Sequence, residues 1–266
     1  MKKNSKNNIR ESVMVNYRKV ALKNDYSENN KSDCCSSPEN NLANISEVLG
    51  YSSSEYTDVP EGSNLGIGCG NPQAIASLKK GEIVLDLGSG AGFDCFLASK
   101  SVGEKGKVIG VDMTAEMISK ARKNVRKGGY SNTEFRLGEI EHLPVADATI
   151  DVIISNCVIN LSPEKEKVFN EAFRVLKSGG RLAISDIVAT AEFPDEYKND
   201  ISLICGCMSG ASSIEVLQTF LRNAGFTEIK IESKDKSREF IKDWRPNSGI
   251  EDYIISATIE AVKKNS

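Results

Sequence analysis

"DLGSGAG", residues 86–92, decides the fold. It follows the apolar run "EIVL" and precedes "FDCFLASKSVG", so Gly88, Gly90 and Gly92 stand between a strand and a helix. Glycines there let the backbone approach a ligand closely, and the helix N-terminus behind them favours anionic or hydrogen-bonding groups. The spacing is G-x-G-x-G, whereas dinucleotide-binding turns need G-x-G-x-x-G, which argues against a nicotinamide cofactor.

Outward from this turn the chain alternates. "KVIGVD" reads as a strand, "TAEMISKARKNVRKGG" as a helix with apolar residues three and four apart, then "TEFRLG", "IDVIISNC" and "GRLAISDI" as strands, with the helix "SPEKEKVFNEAFRVLK" between the last two. Such alternation predicts parallel strands joined by right-handed crossovers, with helices on both faces. A helical stretch "SIEVLQTFLRNAG" and the strands "FTEIKIES" and "DYIISATIEAVKK" complete the pattern. Before it, residues 1–62 are rich in Lys, Asn and Ser, with an amphipathic helix expected around "ESVMVNYRKVALKN" and flexibility around Cys34 and Cys35. The division expected is an N-terminal extension over 1–62, a ligand-binding core over 63–190, and a C-terminal part over 191–266 that completes the sheet and the site.

With 266 residues and a formal charge of −3, the chain has one substantial core and no basic stripe, so nucleic acid and anionic membrane are not expected partners. No run reaches the roughly 18–20 apolar residues of a membrane span, and no secretory leader is visible at the start, so a cytoplasmic protein is expected, and it is taken as a monomer. Seven cysteines in a reducing compartment point to reactive or ligating thiols rather than a disulfide framework.

Asp112 ends the second strand about 20 residues after the glycine turn, where a carboxylate can accept hydrogen bonds from both hydroxyls of an adenosine ribose. The alternative is that it caps the following helix, which begins near Thr114. Together, "VLDLGSGAGFDCFLA", "VIGVDMTAEMI", "FRLGEIEHLPVAD", "ISNCVINLSPEKEKVFNEAFRVLK" and "GGRLAISDI" resemble the class I S-adenosylmethionine-dependent methyltransferases. With "NLGIGCGNPQAIASLK" and "CMSGA" included, the resemblance within that superfamily is to the arsenite methyltransferases. It runs from about Tyr51 to the C-terminus.

The resemblance implies a Rossmann-like α/β fold with a seven-stranded, mostly parallel sheet containing one antiparallel strand. It implies S-adenosylmethionine at the carboxyl ends of the strands and trivalent arsenic as methyl acceptor. Cofactor contacts would come from Asp86, Gly88, Ser89, Gly90 and Gly92 around the turn, from Asp112 and Met113, from Gly138, Glu139 and Ile140, and from Asn156. Asn156 has an alternative role in closing its strand turn. The family's arsenic-binding positions fall on Cys157 and Cys207, with Cys69 as a third thiol. No structural metal is expected.

The residues support this chemistry independently. Oxygen and nitrogen acceptors usually need a general base, and the lone histidine, His142, sits in the loop after the third strand. Thiolates are soft ligands for soft centres, and trivalent arsenic held by sulfur keeps a lone pair that can attack a sulfonium methyl without a base. Cys69 lies in the glycine-flanked loop "GIGCGNP", Cys157 at a strand end, and Cys207 in "CGCMSGA" after the core. Cys95 reads as a small buried hydrophobe, Cys205 stays unassigned, and Trp244 reads as packing against the C-terminal strands. Cys35, of the vicinal pair Cys34–Cys35, is a candidate for a disulfide relay that returns arsenic to the trivalent state, with glutathione or a thioredoxin-like protein restoring the thiols. The competing readings are a methyltransferase acting on a quinone or other carbon acceptor, and a thiol-rich protein that sequesters a soft metal without turnover.

Overall fold

A computed structural model describes residues 5–26 and 38–264, with side chains described for 5–22 and 42–264. The sheet is built by β1 (Ile83–Leu87), β2 (Lys107–Asp112), β3 (Thr133–Leu137), β4 (Ile150–Asn156), β5 (Leu176–Ala189), β7 (Thr227–Lys234) and β8 (Ile254–Val262), in the order β3-β2-β1-β4-β5-β8-β7. Strand β8 runs antiparallel to both β5 and β7, and the other pairings along this path are parallel. This is the one antiparallel strand that the resemblance implies, and it lies between β5 and β7. A two-residue strand that periodicity does not reveal, β6 (Ser212–Ser213), extends the sheet beside Val188 and Ala189.

Both faces of the central strands are buried, as parallel sheets require. Leu85, Val111, Ile153 and Leu182 point into one core with Phe169 of α7 (Lys165–Val175) and Leu217 of α10 (Ile214–Ala224). Their neighbours Val84, Val108, Val152 and Ala183 point into the opposite core with Phe96 of α5 (Phe93–Val102) and Ala121 of α6 (Ala115–Gly128). Alternate residues thus face opposite layers, the period-two signature of strands. Helix α6 stops where Gly129 adopts a left-handed φ of 69°, and α10 stops at Gly225 with φ 103°, conformations in which glycine carries no Cβ penalty.

Strand β5 starts earlier than "GRLAISDI" suggests. Leu176 is fully buried and pairs with Ile150 directly after α7, and the register then shifts before Arg181 meets Val152. The shift absorbs the intervening glycines.

The N-terminal segment forms α1 (Lys6–Tyr26), longer than the expected helix, then α2 (Pro38–Val48) and α3 (Ser53–Thr57). Helix α1 lies against α6 and α9 (Ile201–Cys205), with Val13 and Ala21 buried beneath it. Two further short helices, α4 (Gln73–Ala76) and α8 (Asp195–Lys198), lie in the connections, and α11 (Arg238–Trp244) follows β7. Among the described residues no helix is long and apolar enough to cross a membrane.

Strand order reverses between β1 and β4. From β1 the chain steps outward through β2 to β3, then returns to the other side of β1. Crevices open beyond the carboxyl ends of strands at such a reversal. Leu87 pairs with Ser155 there, so the glycine turn and Cys157 emerge side by side.

Candidate functional site

The crevice is a cavity of about 430 Å³. The glycine turn forms its floor. Backbone N–H groups of Gly88 and Ser89 donate to the Val111 carbonyl at 2.8 and 3.0 Å, which pins the turn to β2. At Gly88, with φ 68°, a Cβ would sit 2.3 Å from Val158 Cγ2, whereas at Gly90, with φ 52°, it would meet nothing within 4 Å. Gly88 is therefore required by packing and Gly90 by close approach to the cavity. Gly92 does not line the cavity; a Cβ there would press on Phe135 and Phe96, so its role is packing between α5 and the sheet.

Asp112 joins the glycine turn to the next helix. Its carboxylate accepts from Gly90 N at 3.0 Å and from Thr114 N at 2.8 Å, tying the turn to the start of α6 while bordering the cavity. Met113, Gly138 and Ile140 line the same wall. Glu139 does not. Its half-exposed carboxylate lies 3.9 Å from Arg10 and 3.8 Å from His142, and it borders an outer hollow shared with Met113. Ser89 Oγ is buried in the cavity wall with no hydrogen-bond partner, an unmet polar atom facing the space a ligand would fill.

Behind the floor, buried carboxyls are hydrogen-bonded and hold their protons more tightly than exposed ones do. Tyr51 OH donates to Asp94 at 2.9 Å, and the Cys95 thiol donates to Asp86 at 3.2 Å. Cys95 is thus the small buried residue expected, with one polar contact. Burial pushes Asp86 well above the usual carboxylate range and Asp94 up to about 6.

The thiols gather at the other end. Cys157 follows β4, and its N–H donates to the Ser185 carbonyl at 2.8 Å. The Cys207 thiol donates to the Cys157 carbonyl at 2.6 Å. Cys69 is joined to the same strand end by Asn156, whose Oδ1 accepts from Cys69 N at 3.0 Å while Nδ2 donates to Gly70 O at 2.7 Å and to Tyr51 OH at 3.0 Å. Asn156 borders the cavity, and its amide joins the Cys69 loop to the strand end that carries Cys157.

Cys69, Cys157 and Cys207 are all buried. Burial drives the Cys69 thiol up to about 11. Cys207 is raised through its hydrogen bond with Cys157 and then by burial. Neutral thiols therefore occupy the site at neutral pH.

Cys157 and Cys207 have φ values of 58° and 60°, the left-handed region that side chains avoid. Such strain concentrates where function overrides conformational preference. Glycine would relieve it. We expect Cys157→Gly to be as stable as Cys157→Ala or more so, by about 1 kcal/mol, the reverse of the order inside a strand. Urea unfolding of the two variants checks this, and a less stable glycine variant would remove the strain argument.

Residues that the sequence did not flag complete the enclosure. From α1, Arg10, Val13, Tyr17 and Val20 line the cavity, and Tyr17 OH lies 3.9 Å from Cys207 Sγ. Arg10 ties this helix down through Glu141 and Glu164. Val13, Tyr17, Val20 and Ala21 stand at positions i, i+4, i+7 and i+8, a one-sided apolar stripe that marks a docked helix. Asp186, fully buried in β5, is signalled by a lone acid within "LAISDIVA". Trp244 packs against Phe240 of its own helix and lines the cavity, as does Cys205. His142 stays outside, with its side chain 66% exposed. Cys34 and Cys35 lie outside the described residues.

The buried acids set a pH signature. Asp94 and Asp186 are each raised to about 6, primarily by burial, so the folded chain keeps protons that the unfolded chain loses near pH 4. Their stabilising contribution is full below the unfolded value and is lost as pH rises through about 6. Glu164, held low by Lys167, Arg10 and Lys6, acts oppositely, and its contribution is lost only in more acidic solution. The melting temperature should rise as pH falls from about 8 to about 5 and decline below about 4. A steady fall between pH 8 and 5 would contradict it.

Comparison with known proteins places this geometry. A family model described as a methyltransferase domain matches residues 78–225. An arsenite methyltransferase of Halobacterium salinarum is 56% identical over 230 residues, which is 86% of this chain and 58% of that protein. The arsenite methyltransferase of Homo sapiens is 42% identical over 152 residues, 54% of this chain and 40% of that one. The chain thus spans about half the length of these curated relatives. The crystal structure of an arsenic(III) S-adenosylmethionine methyltransferase from Chlamydomonas reinhardtii is similar with a TM-score of 0.64 at 33% identity, covering 83% of this chain and 73% of that one.

Proposed function

This chain belongs to the arsenite methyltransferase family of class I S-adenosylmethionine-dependent methyltransferases, and on that premise we propose that it transfers methyl groups from S-adenosylmethionine to thiolate-bound trivalent arsenic. The observation that carries the reading is one cavity bordered at one end by the glycine turn with Asp112 and at the other by Cys157 and Cys207. Sequestration alone needs no nucleoside crevice.

The residues present suit the methyl donor. Open space at Gly90 admits a close-lying ligand, Asp112 offers its carboxylate to ribose hydroxyls, and Ser89 Oγ offers an unused hydrogen-bonding atom. When bound, S-adenosylmethionine supplies an electrophilic methyl on a positively charged sulfur.

The chain supplies the acceptor's geometry. Arsenite exchanges its hydroxyls for thiols, each thiol proton leaving with a hydroxyl as water, so protonated cysteines are competent to load. Cys157 and Cys207, with Cys69 beside them, fix the arsenic so that its lone pair faces the crevice. Aligning lone pair, methyl carbon and leaving sulfur can lower a barrier by roughly 7–11 kcal/mol in favourable cases. The arsenic lone pair forms the new bond, and the electrons of the breaking carbon–sulfur bond stay on the leaving sulfur. Arsenic becomes formally pentavalent. Departure of two cysteine sulfurs as a disulfide returns two electrons to it, and Cys35 with glutathione or a thioredoxin-like protein would restore the thiols. The biological outcome we assign is arsenic biotransformation and detoxification.

The test is incubation of reduced protein with arsenite, S-adenosylmethionine and glutathione, followed by mass spectrometry of arsenic species. Methylated arsenic is expected. Its absence from folded protein that binds S-adenosylmethionine would overturn the proposal.

A further inference from the structure

Asp186 has no duty in methyl transfer, yet its carboxylate is placed among the thiols. One of its oxygens, Cys69 Sγ and Cys157 Sγ all lie within 4.8 Å of one another, and all three residues are buried. Arsenic held by sulfur takes thiolates and gains nothing from a carboxylate. Two thiolates and a carboxylate are instead a ligand set for a divalent cation such as zinc, which binds both groups tetrahedrally. We propose that Cys69, Cys157 and Asp186 form a binding site for a thiophilic divalent cation, Zn2+ foremost, which overlaps the thiol cluster and excludes arsenic from it.

Three observations support the assignment. Zinc–sulfur bonds of about 2.3 Å put tetrahedral ligand atoms about 3.7 Å apart, so the observed cluster needs only a small side-chain contraction to close around the ion. The carboxylate is held in place by Ile187 N at 2.7 Å, Ile159 N at 2.9 Å and Asn160 Nδ2 at 2.9 Å. An ionised carboxylate has about four acceptor positions, so one remains for a metal. Such supporting donors orient ligands at metal sites generally. Cys157 also borders the cavity, which provides an entry path.

Charge and protons balance simply. Two thiols ionise on coordination and release their protons to water, the carboxylate contributes its existing charge, and a water completes the fourth position. No oxidant or reductant is involved. Zinc and arsenite then compete for the Cys157 sulfur, so zinc acts as an inhibitor that arsenite can displace.

The test uses the reduced, metal-free full chain titrated with Zn2+ alone against a chromophoric zinc indicator, and separately with Co2+ alone. The expected result is one tightly bound equivalent and a thiolate-to-cobalt charge-transfer band. Loss of an orienting partner alone costs metal sites about 10–100-fold, so Cys69→Ser and Asp186→Asn should each weaken zinc at least about tenfold. Cys95→Ala should not. Arsenite binding, read by fluorescence of Trp244 in the cavity wall, should survive Asp186→Asn and be suppressed by zinc in the wild type. Should Asp186→Asn fail to fold, Cys69→Ser and the cobalt spectrum decide. No stoichiometric zinc in folded wild type, or zinc binding unchanged in the folded variants, would overturn the site. Zinc binding without arsenic methylation would leave this site standing and remove the proposed function; methylation without zinc binding would do the reverse.

Discussion

Cys157→Ser should lower arsenic methylation at least about a thousandfold while leaving S-adenosylmethionine affinity within about threefold of wild type. Half of about 9 kcal/mol, the middle of the roughly 7–11 kcal/mol available from alignment, corresponds to about two thousandfold in rate. Serine keeps the size and the hydrogen-bonding capacity of the side chain, but its oxygen is a hard ligand and a poor partner for trivalent arsenic. The change touches none of Gly88, Gly90 or Asp112, so the cofactor end is undisturbed. Calorimetric titration with S-adenosylmethionine and product analysis by mass spectrometry measure the two halves separately. Retention of a tenth of wild-type turnover would show that Cys157 does not hold the acceptor.

Gly88→Ala should damage both substrates at once. Alanine at φ 68° carries a left-handed penalty of about 1–2 kcal/mol. Its Cβ would also lie 2.3 Å from Val158 Cγ2, a distance that forces Val158 to move. Val158 directly follows Cys157, so a change at the cofactor floor is transmitted to the thiol. Overpacking of this kind typically costs about 1–3 kcal/mol in stability. We expect at least about a hundredfold loss in kcat/KM, equivalent to about 2.7 kcal/mol, with weaker binding of both ligands. Gly90→Ala provides the contrast, because a Cβ there meets nothing within 4 Å. That variant should weaken S-adenosylmethionine binding and leave arsenite affinity unchanged. Equal effects of the two variants on arsenite would break the proposed link through Val158.

Gly88, Gly90 and Asp112 were legible because a ligand-binding turn demands small residues and an acid at fixed spacing, and local pattern suffices. The parallel pairing and the helices on both faces followed from the alternation of elements, whereas β6, with two residues, is too short to show a period. Gly92 and Glu139 were assigned to the cofactor from the same motifs, but the structure uses one for helix packing and turns the other outward. A motif gives spacing along the chain and says nothing about which side of a turn faces the ligand.

The union of Cys69, Cys157 and Cys207 depends on contacts between segments 88 and then 50 residues apart in sequence, which no periodicity encodes. Asn156 makes the first join, to Cys69 N, and the Cys207 thiol makes the second, to the Cys157 carbonyl. The left-handed backbone at Cys157 and Cys207 was equally hidden, since cysteine has no preference for it. Helix α1 was visible as an amphipathic segment, but its docking over the cavity through Arg10 and Tyr17 rests on Glu141, Glu164 and Cys207, all remote in sequence.

The most direct test of the central claim is a single turnover. Reduced protein is loaded with arsenite, freed of excess, and mixed with S-adenosylmethionine carrying an isotopically labelled methyl group. The account predicts that the label appears on arsenic and that Cys157→Ser shows no such transfer. Label that stays on the donor, or that appears as S-methylcysteine on the protein, would contradict it.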